Sequence, residues 1–519
     1  MILTLNKMLT KSSLEGEFFV EEIMNLQNES DIRGIAMDTK EYQANLTVSA
    51  VREIAAGIVN WLNKMEKKDE LTVGVGRDSR LSGPELKEAL IEELIHSGVN
   101  VYDFGLATTP ALFMSTQFSQ FSCDAGVMLT ASHLPYYYNG IKVFSQKGGA
   151  EKEDITYILS HTEKRQGVTA GKLTEADLLT VYANNLVAKI RTASYKDTEK
   201  PLTGFKIVVD AGNGAGGFFT EKVLQVLGAD TSGSQFLTPD GNFPNHIPNP
   251  DNKEAMRSIQ DAVLTNHADL GVIFDTDVDR SAVVTKSGDV LNRNNLIAVL
   301  SRIVLTEHPG TSIVTNSPTS DHLKDFIESL DGKQVRYISG YRNVINKALE
   351  LNHAGVDTQL AIETSGHAAF KENYFLDDGA YVIAKILMLL PKLQEEGKSL
   401  ESLIADLKQP LETQEVRFKL EAENYRALGK KIIEQIVDIQ IPGWQIDPEN
   451  DEGIRFRLSQ PYGQGWFLLR MSLHEPLLVL QIENDEKGYI VPVLKKMQQF
   501  LNNYPEVNQE KLTPLIANV

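Results

Sequence analysis

The sequence predicts an α/β protein of four domains: three related α/β units with mixed, mainly parallel sheets, then a smaller α+β unit. Length is the first ground, since 519 residues exceed what one ordinary hydrophobic core serves. The second is an alternation of short apolar runs with stretches of helical periodicity, the pattern of βαβ units. The third is a change near the C-terminus, where strand-like runs follow one another almost without helix between them.

Composition narrows the class further. At 42% hydrophobic and 23% charged the chain is that of a soluble globular protein. A net charge of −19 repels nucleic acid and anionic membrane, so neither is an expected partner, while local basic residues still permit a small anionic substrate. Cys123 is the only cysteine, which forbids an intrachain disulfide and suits a reducing compartment. No apolar run reaches the roughly 18 residues of a membrane span. Glutamates at 15, 17, 21, 22 and 29 interrupt the N-terminus, unlike a signal or transit peptide. The expectation is a cytoplasmic protein with residues 1–27 as a short lead-in. Nothing in the sequence points to an oligomeric state.

Along the chain, Val48, Val51, Ile54, Ala55, Ile58, Trp61, Leu62 and Met65 recur at three- and four-residue spacing, one face of a helix. LTVGVG (71–76) reads as a strand and ELKEALIEELIHSG (85–98) as a helix closed by Gly98. VNVYDFG and DAGVMLT are further strands. After a polar stretch at 194–202 the cycle restarts with the strand GFKIVVD (204–210), a glycine-rich turn and a helix in TEKVLQVLG. The proline-asparagine loop PDGNFPNHIPNPDN, a helix and the strand DLGVIF (269–274) complete it. A third cycle opens at TSIVTN (311–316) and includes TQLAIET and AYVIAKILMLL. EVRFKL, IRFRL, GWFLLRMSL and LLVLQIE then read as antiparallel strands with two flanking helices. Domains are expected at 1–200, 201–308, 309–410 and 411–519.

Three segments carry chemistry. In DLGVIFDTDVDRSAVV an apolar strand ends in Asp275, Asp277 and Asp279, followed by Arg280. In an extended segment these positions project to one side. Three carboxylates so placed call for a hard divalent cation, Mg²⁺ above all, with positions left open for phosphate oxygens; an acidic surface turn is the plainer alternative. GNGAGG (212–217) matches G-x-G-x-x-G, but the nearest acid, Asp230, precedes the next strand instead of closing it. That segment reads as a tight strand-to-helix turn. GVMLTASHLPYYYNGIK (126–142) sets Ser132 beside His133 at the end of a buried strand, with Lys142 ten residues on. An acyl-transfer serine needs a histidine facing it across space and a glycine-flanked elbow, neither of which this loop offers. A phosphoryl-carrying serine needs a cation and basic groups instead, which the aspartate loop, Lys142 and several arginines supply.

TASHLPYYYNGIK, DTDVDR, ETSGH and RMSLHEP occur in one order, and with them the chain resembles the α-D-phosphohexomutase superfamily: phosphoglucomutases, phosphomannomutases and phosphoglucosamine mutases. The likeness runs from SDIRGIA (30–36) to LLVLQIE (477–483). It implies four domains around a central cleft that excludes water, and Ser132 as a phosphoserine that also completes the metal shell of Asp275, Asp277 and Asp279. It implies that Arg33 and Arg280 face the reacting phosphate, with His133 and Lys142 near the proton-transfer step. Glu363, Ser365 and His367 of ETSGH, with Gly340 and Arg342 of ISGYRNVI, would read the sugar. Arg470, Ser472 and His474 would grip the distal phosphate. The implied activity is interconversion of hexose 1-phosphate and hexose 6-phosphate, glucose foremost, with Mg²⁺ and hexose 1,6-bisphosphate as activator and intermediate.

This sequence departs from the family pattern at three places. Leu473 and His474 stand where the phosphate loop usually has Gly-Thr, removing a backbone freedom and a hydroxyl. Arg342 replaces a common lysine, a planar fork for a point charge, and Thr276 replaces a frequent glycine. A variant activity compatible with an altered distal grip is glucose 1,6-bisphosphate synthesis from the same phosphoserine. Two rivals remain from the residues alone. One is a haloacid-dehalogenase-type phosphatase using VIFDTDV, with Asp275 as nucleophile. The other is a non-catalytic sugar-phosphate binder.

Overall fold

A computed structural model of the chain describes residues 23–66, 68, 70–194, 198–472 and 475–517. These form two compact units: the described residues up to Asn292 together with Ser365–Glu401, and Arg293–Thr364 together with the chain from Ser402 onward. The first three sheets mix parallel with antiparallel pairing, and the last sheet is antiparallel throughout. Among the described residues no helix is long and apolar enough to cross a membrane.

The first unit opens with a sheet in the order Gln27–Asn28, Asp31–Ile35, Tyr138–Ser145, Ala125–Leu129, Thr72–Arg77, Asn100–Leu106 and Leu173–Glu175. Its central strand, Ala125–Leu129, is buried along its whole length, which is why AGVML reads as continuously apolar instead of alternating. The helix Thr109–Met114 lies so close to that strand that a Cβ on Gly126 would stand 2.4 Å from the Leu112 carbonyl oxygen. Helix Val48–Met65 buries six of its eight periodic apolar residues, sparing only the terminal Val48 and Met65, and Thr47 caps it by accepting from the Ala50 amide. Gly98, at φ +85°, closes the helix Gly83–His96. Ile23 and Leu26 are buried in this core, so the sequence expected as lead-in already belongs to the fold at residue 23.

The unit's second sheet runs Val290–Leu291, Ser281–Thr285, Leu270–Phe274 and Ile207–Asp210, with Leu270–Phe274 parallel to Ile207–Asp210 and antiparallel to Ser281–Thr285. The helix expected over TEKVLQVLG shrinks to one wide five-residue turn, Thr220–Leu224, in which the Gln225 amide reaches the Thr220 carbonyl. Past it the Leu227 amide still reaches the Val223 carbonyl at 3.0 Å, and Gly228, at φ +93°, then ends the segment. The glycine-rich turn before it is filled by protein: the Ala215 amide donates to the Thr276 carbonyl at 2.8 Å, and a Cβ on Gly214 would lie 2.6 Å from that oxygen.

The second unit holds a parallel core of Lys333–Tyr337, Ser312–Asn316 and Thr358–Ile362. Its antiparallel sheet runs Glu412–Lys419, Leu477–Asn484, Gly465–Met471, Ile454–Leu458 and Trp444–Ile446, flanked by the helices Tyr425–Ile436 and Ile490–Leu501.

Candidate active site

The acid loop starts where the strand Leu270–Phe274 ends. Its carboxylates converge, but not by the extended geometry expected from their spacing. Residues 275–279 turn back on themselves: the Val278 amide donates to the Asp275 carbonyl at 3.4 Å and the Asp275 amide to the Arg280 carbonyl at 3.3 Å. Val278 sits at φ +67°, a strained position for a β-branched residue. Its carbonyl is held by the Gly379 amide, at the start of the helix Gly379–Glu395, at 3.1 Å. The result is three buried carboxylates whose oxygens lie within 4.8 Å of one another.

Ser132 comes to this loop from the first sheet. It too has a left-handed backbone, φ +51°, and its amide donates to Thr130 Oγ1 at 2.9 Å. Its Oγ donates to Asp275 Oδ2 at 3.0 Å. Arg280 ties the two loops together: Nε donates to Asp275 Oδ2 at 3.1 Å, and Nη2 to Ser132 Oγ at 3.1 Å and His133 Nδ1 at 2.7 Å. Lys142 arrives because its strand pairs antiparallel with Ala125–Leu129, Met128 opposite Lys142. Its ammonium donates to Asp277 Oδ2 at 3.1 Å and Asp279 Oδ2 at 2.5 Å. Thr109 Oγ1 adds a bond to Asp277 Oδ2 at 2.5 Å.

Burial and the neighbouring charges of Asp279 and Asp277 push the Asp275 carboxyl well above the usual carboxylate range. Asp279 moves the other way: burial opposes its charge, but Lys142, His367 and Arg280 outweigh it and hold the group ionised. Asp277 Oδ1 and Asp279 Oδ1 are buried with no hydrogen-bond partner among the described residues. Buried carboxylate oxygens without donors are costly. With Ser132 Oγ beside them they make an oxygen-only donor set that fits a hard divalent cation. His133 is held well below its ordinary value by burial, then by the charges of Arg280 and Arg33, so its ring is neutral. Since a guanidinium can only donate, His133 Nδ1 accepts from Arg280 and the ring proton sits on Nε2.

Of the other expected residues, Arg33 pairs with Asp31 at 2.7 Å. The ETSGH segment divides at the unit boundary, Glu363 on one side and Ser365 and His367 on the other. In the first unit His367 hydrogen-bonds Asp377 and lies by Asp279. Burial resists its charge, but Asp377 and Asp279 raise it to about 9. Ser365 Oγ is buried. In the second unit Glu363 Oε1 accepts from the Gly340 amide at 2.7 Å, and Arg342 donates to Asn346 at 3.1 Å. Arg470 donates to the Met471 carbonyl at 3.3 Å and faces Glu452 at 3.6 Å. Ser472 Oγ accepts from the Glu475 amide at 3.3 Å. Leu473 and His474 lie outside the described residues.

Sequence reasoning passed over several residues that build the site. Arg80, wholly buried, donates to the carbonyls of Ser132 at 2.5 Å, Leu134 at 2.7 Å, Pro135 at 2.8 Å and Tyr138 at 2.9 Å, and pairs with Asp78 at 3.3 Å. Asp78 in turn accepts from Thr130 Oγ1 at 2.7 Å. The run Arg-Asp-Ser-Arg directly after the strand LTVGVG was a visible signal, since charges crowded at the end of a buried strand need a partner. Thr109, Asp377 and Glu452 had no comparable signal.

Comparison with known proteins gives a consistent set of matches. Models of the phosphoglucomutase/phosphomannomutase α/β/α domains I, II and III match residues 24–167, 180–288 and 292–411. A phosphoglucomutase of Neisseria gonorrhoeae is 31% identical over 483 residues, 92% of this chain and 96% of its own. A phosphomannomutase/phosphoglucomutase of Pseudomonas aeruginosa is 32% identical over 460 residues, 88% and 90% of the two chains. The crystal structure of a phosphoglucomutase/phosphomannomutase family protein from Burkholderia thailandensis superposes with a TM-score of 0.75 at 26% identity, covering 92% of this chain and 97% of that one.

Proposed function

The chain belongs to the α-D-phosphohexomutase superfamily, and we propose that it interconverts hexose 1-phosphate and hexose 6-phosphate, glucose foremost, through a phosphoryl group carried on Ser132. Relatives described as phosphoglucomutase and phosphomannomutase/phosphoglucomutase support hexose phosphate mutase activity. The observation that carries it is Ser132 Oγ at 3.0 Å from Asp275, against two buried carboxylate oxygens that lack hydrogen-bond donors.

Asp275, Asp277 and Asp279 with the Ser132 oxygen would hold Mg²⁺, which when bound supplies positive charge against the phosphoryl oxygens. Phosphoserine at Ser132 brings about −1.5 to −2 charges, and Arg280, already 3.1 Å from Oγ, swings its free donors onto them. In the first half-reaction the sugar's free hydroxyl oxygen bonds to phosphorus as the P–Oγ bond of Ser132 breaks. The hydroxyl proton passes to neutral His133 at Nδ1 once Arg280 turns to the phosphoryl group. Hexose 1,6-bisphosphate then reverses end for end. Its other phosphate returns to Ser132 Oγ, and the proton goes back to the sugar oxygen. Arg33 stands by as a second positive charge. Lys142, paired to Asp277 and Asp279, keeps the acid loop from repelling the incoming phosphate. Gly340, Arg342, Glu363, Ser365 and His367 read sugar hydroxyls; Arg470, Ser472 and His474 hold the phosphate that is not reacting.

A second reading, glucose 1,6-bisphosphate synthase, is favoured by Arg342, Leu473 and His474, which alter the grips that must retain the bisphosphate. One assay tests both: the protein with glucose 1-phosphate, Mg²⁺ and a trace of glucose 1,6-bisphosphate. Conversion to glucose 6-phosphate without bisphosphate build-up is expected. Bisphosphate accumulating in step with an added phosphoryl donor would select the synthase, and no change in any sugar phosphate would overturn both.

A further inference from the structure

From the geometry of the second unit we infer that Glu452 is a positioning residue that couples the sugar-reading turn to the distal phosphate grip; the inference rests on the mutase reading above. Glu452 precedes the strand Ile454–Leu458, which pairs antiparallel with Gly465–Met471, Ile454 opposite Leu469. The next residue, Gly453, is pressed against the neighbouring strand. A Cβ there would stand 2.3 Å from the Leu469 carbonyl oxygen and 2.8 Å from Arg470 Cα, and the backbone is at φ +58°. Only glycine fits, and its closeness brings Glu452 alongside Arg470.

The buried Glu452 carboxylate then faces two ways. Oε1 lies 3.6 Å from Arg470 Nη1. Oε2 accepts from Ser339 Oγ at 2.6 Å and from the Ser339 amide at 3.2 Å. Ser339 is itself buried and leads directly into Gly340, whose amide is held by Glu363 at 2.7 Å. Gly340, at φ +118°, starts the helix that carries Arg342. One carboxylate thus fixes the guanidinium that grips phosphate and the turn that meets the sugar. A hexose monophosphate bound at both points uses an alignment set in advance, and the cost of ordering two separate grips falls. Neither the catalytic serine nor the acid loop is involved, so the effect lies in substrate hold.

The test is a double-variant cycle on the full chain, read as KM and kcat with the hexose monophosphate it turns over, and by calorimetric titration of the same compound. Glu452→Gln keeps the shape and the Ser339 bonds but removes the charge beside Arg470. KM should rise roughly tenfold, more than kcat falls. Arg470→Lys should do the same, and the pair together should be no worse than Arg470→Lys alone by more than about twofold. Losses that multiply in the double variant overturn the inference, as does a Glu452→Gln enzyme with wild-type KM. Ser339→Ala gives a second route if Glu452→Gln does not fold: its rise in KM should vanish in the Arg470→Lys background, and an undiminished rise there is equally fatal. A wild type that neither binds nor converts glucose, mannose or glucosamine monophosphates overturns the mutase reading and this inference with it. Failure confined to the cycle leaves the mutase reading standing.

Discussion

Ser132 is strained before it carries anything: a non-glycine residue at φ +51° costs about 1 kcal/mol or more, and here other contacts hold it there. That position brings Oγ to Asp275 at 3.0 Å, with His133 Nδ1 of its own loop 3.3 Å away. On the proposed mechanism, replacing the hydroxyl removes the phosphoryl carrier without disturbing the recognition of sugar. Ser132→Ala is expected to lower transfer by at least about 10⁴-fold while hexose monophosphate binding, measured by calorimetry, persists; turnover at wild-type rate in that variant would exclude a serine carrier. The residues proposed for chemistry were legible in the sequence because the chemistry is written in residue type and local spacing: a serine beside a histidine, three aspartates in five positions. What the letters did not reveal is how those aspartates meet. Spacing suggested an extended segment, whereas the chain folds them together through a left-handed valine. Thr109 and Asp377 stayed hidden for a different reason, since their closeness to the acids arises only when distant segments pack.

At the scale of elements, periodicity and glycine placement announced most strands and helices, and they failed where a turn interrupts. The stretch TEKVLQVLG has helical letters but winds as a wide turn, the Gln225 amide reaching back to Thr220, before Gly228 closes it. The serine loop is the clearest case of an element built by a residue outside it. Arg80 collects four carbonyls of the segment 132–138 and balances its charge on Asp78, so one buried guanidinium replaces the hydrogen bonds that a regular strand would have made. Removing it takes the guanidinium donors from those carbonyls and leaves the buried Asp78 carboxylate without its counter-charge, with only the Thr130 hydroxyl and the backbone amide of residue 80 to hold it. Arg80→Met is expected to cost about 3–5 kcal/mol, measured by denaturant unfolding, and to lower phosphoserine formation, read by intact mass, beyond what the lost folded fraction explains. Equal phosphorylation per folded molecule would show that the loop keeps its shape without Arg80.

Over the whole molecule each compact unit holds ion pairs of opposite pH character, buried in the first and with a partly exposed carboxylate in the second. In the first, His246 Nε2 sits 3.0 Å from Asp210 Oδ2. Burial disfavours the imidazolium, but the hydrogen bond and charge of Asp210 win, and the folded value lies above 6.5. A raised value means the pair contributes fully below pH 6.5 and loses its contribution as pH climbs through the folded value. In the second unit Asp321 meets Arg336 at 2.7 Å and Arg455 at 2.9 Å, while the Arg455 guanidinium stacks 3.6 Å over Trp466. Burial works against the Asp321 carboxylate, yet the charges of Arg455 and Arg336 bring it below 3.8. That contribution is complete above pH 3.8 and disappears as pH falls through the lowered value. Alkaline pH should thus loosen the first unit and acid the second, because each change removes the charge its own pair depends on. Hydrogen exchange followed peptide by peptide across pH separates the two. The excess exchange of His246→Gln over wild type, in peptides around 207–246, should shrink as pH rises above 6.5. That of Asp321→Asn, in peptides around 312–337 and 454–466, should shrink below pH 3.8. Gaps that stay constant across these windows would mean the ion pairs are not what makes each unit's stability depend on pH.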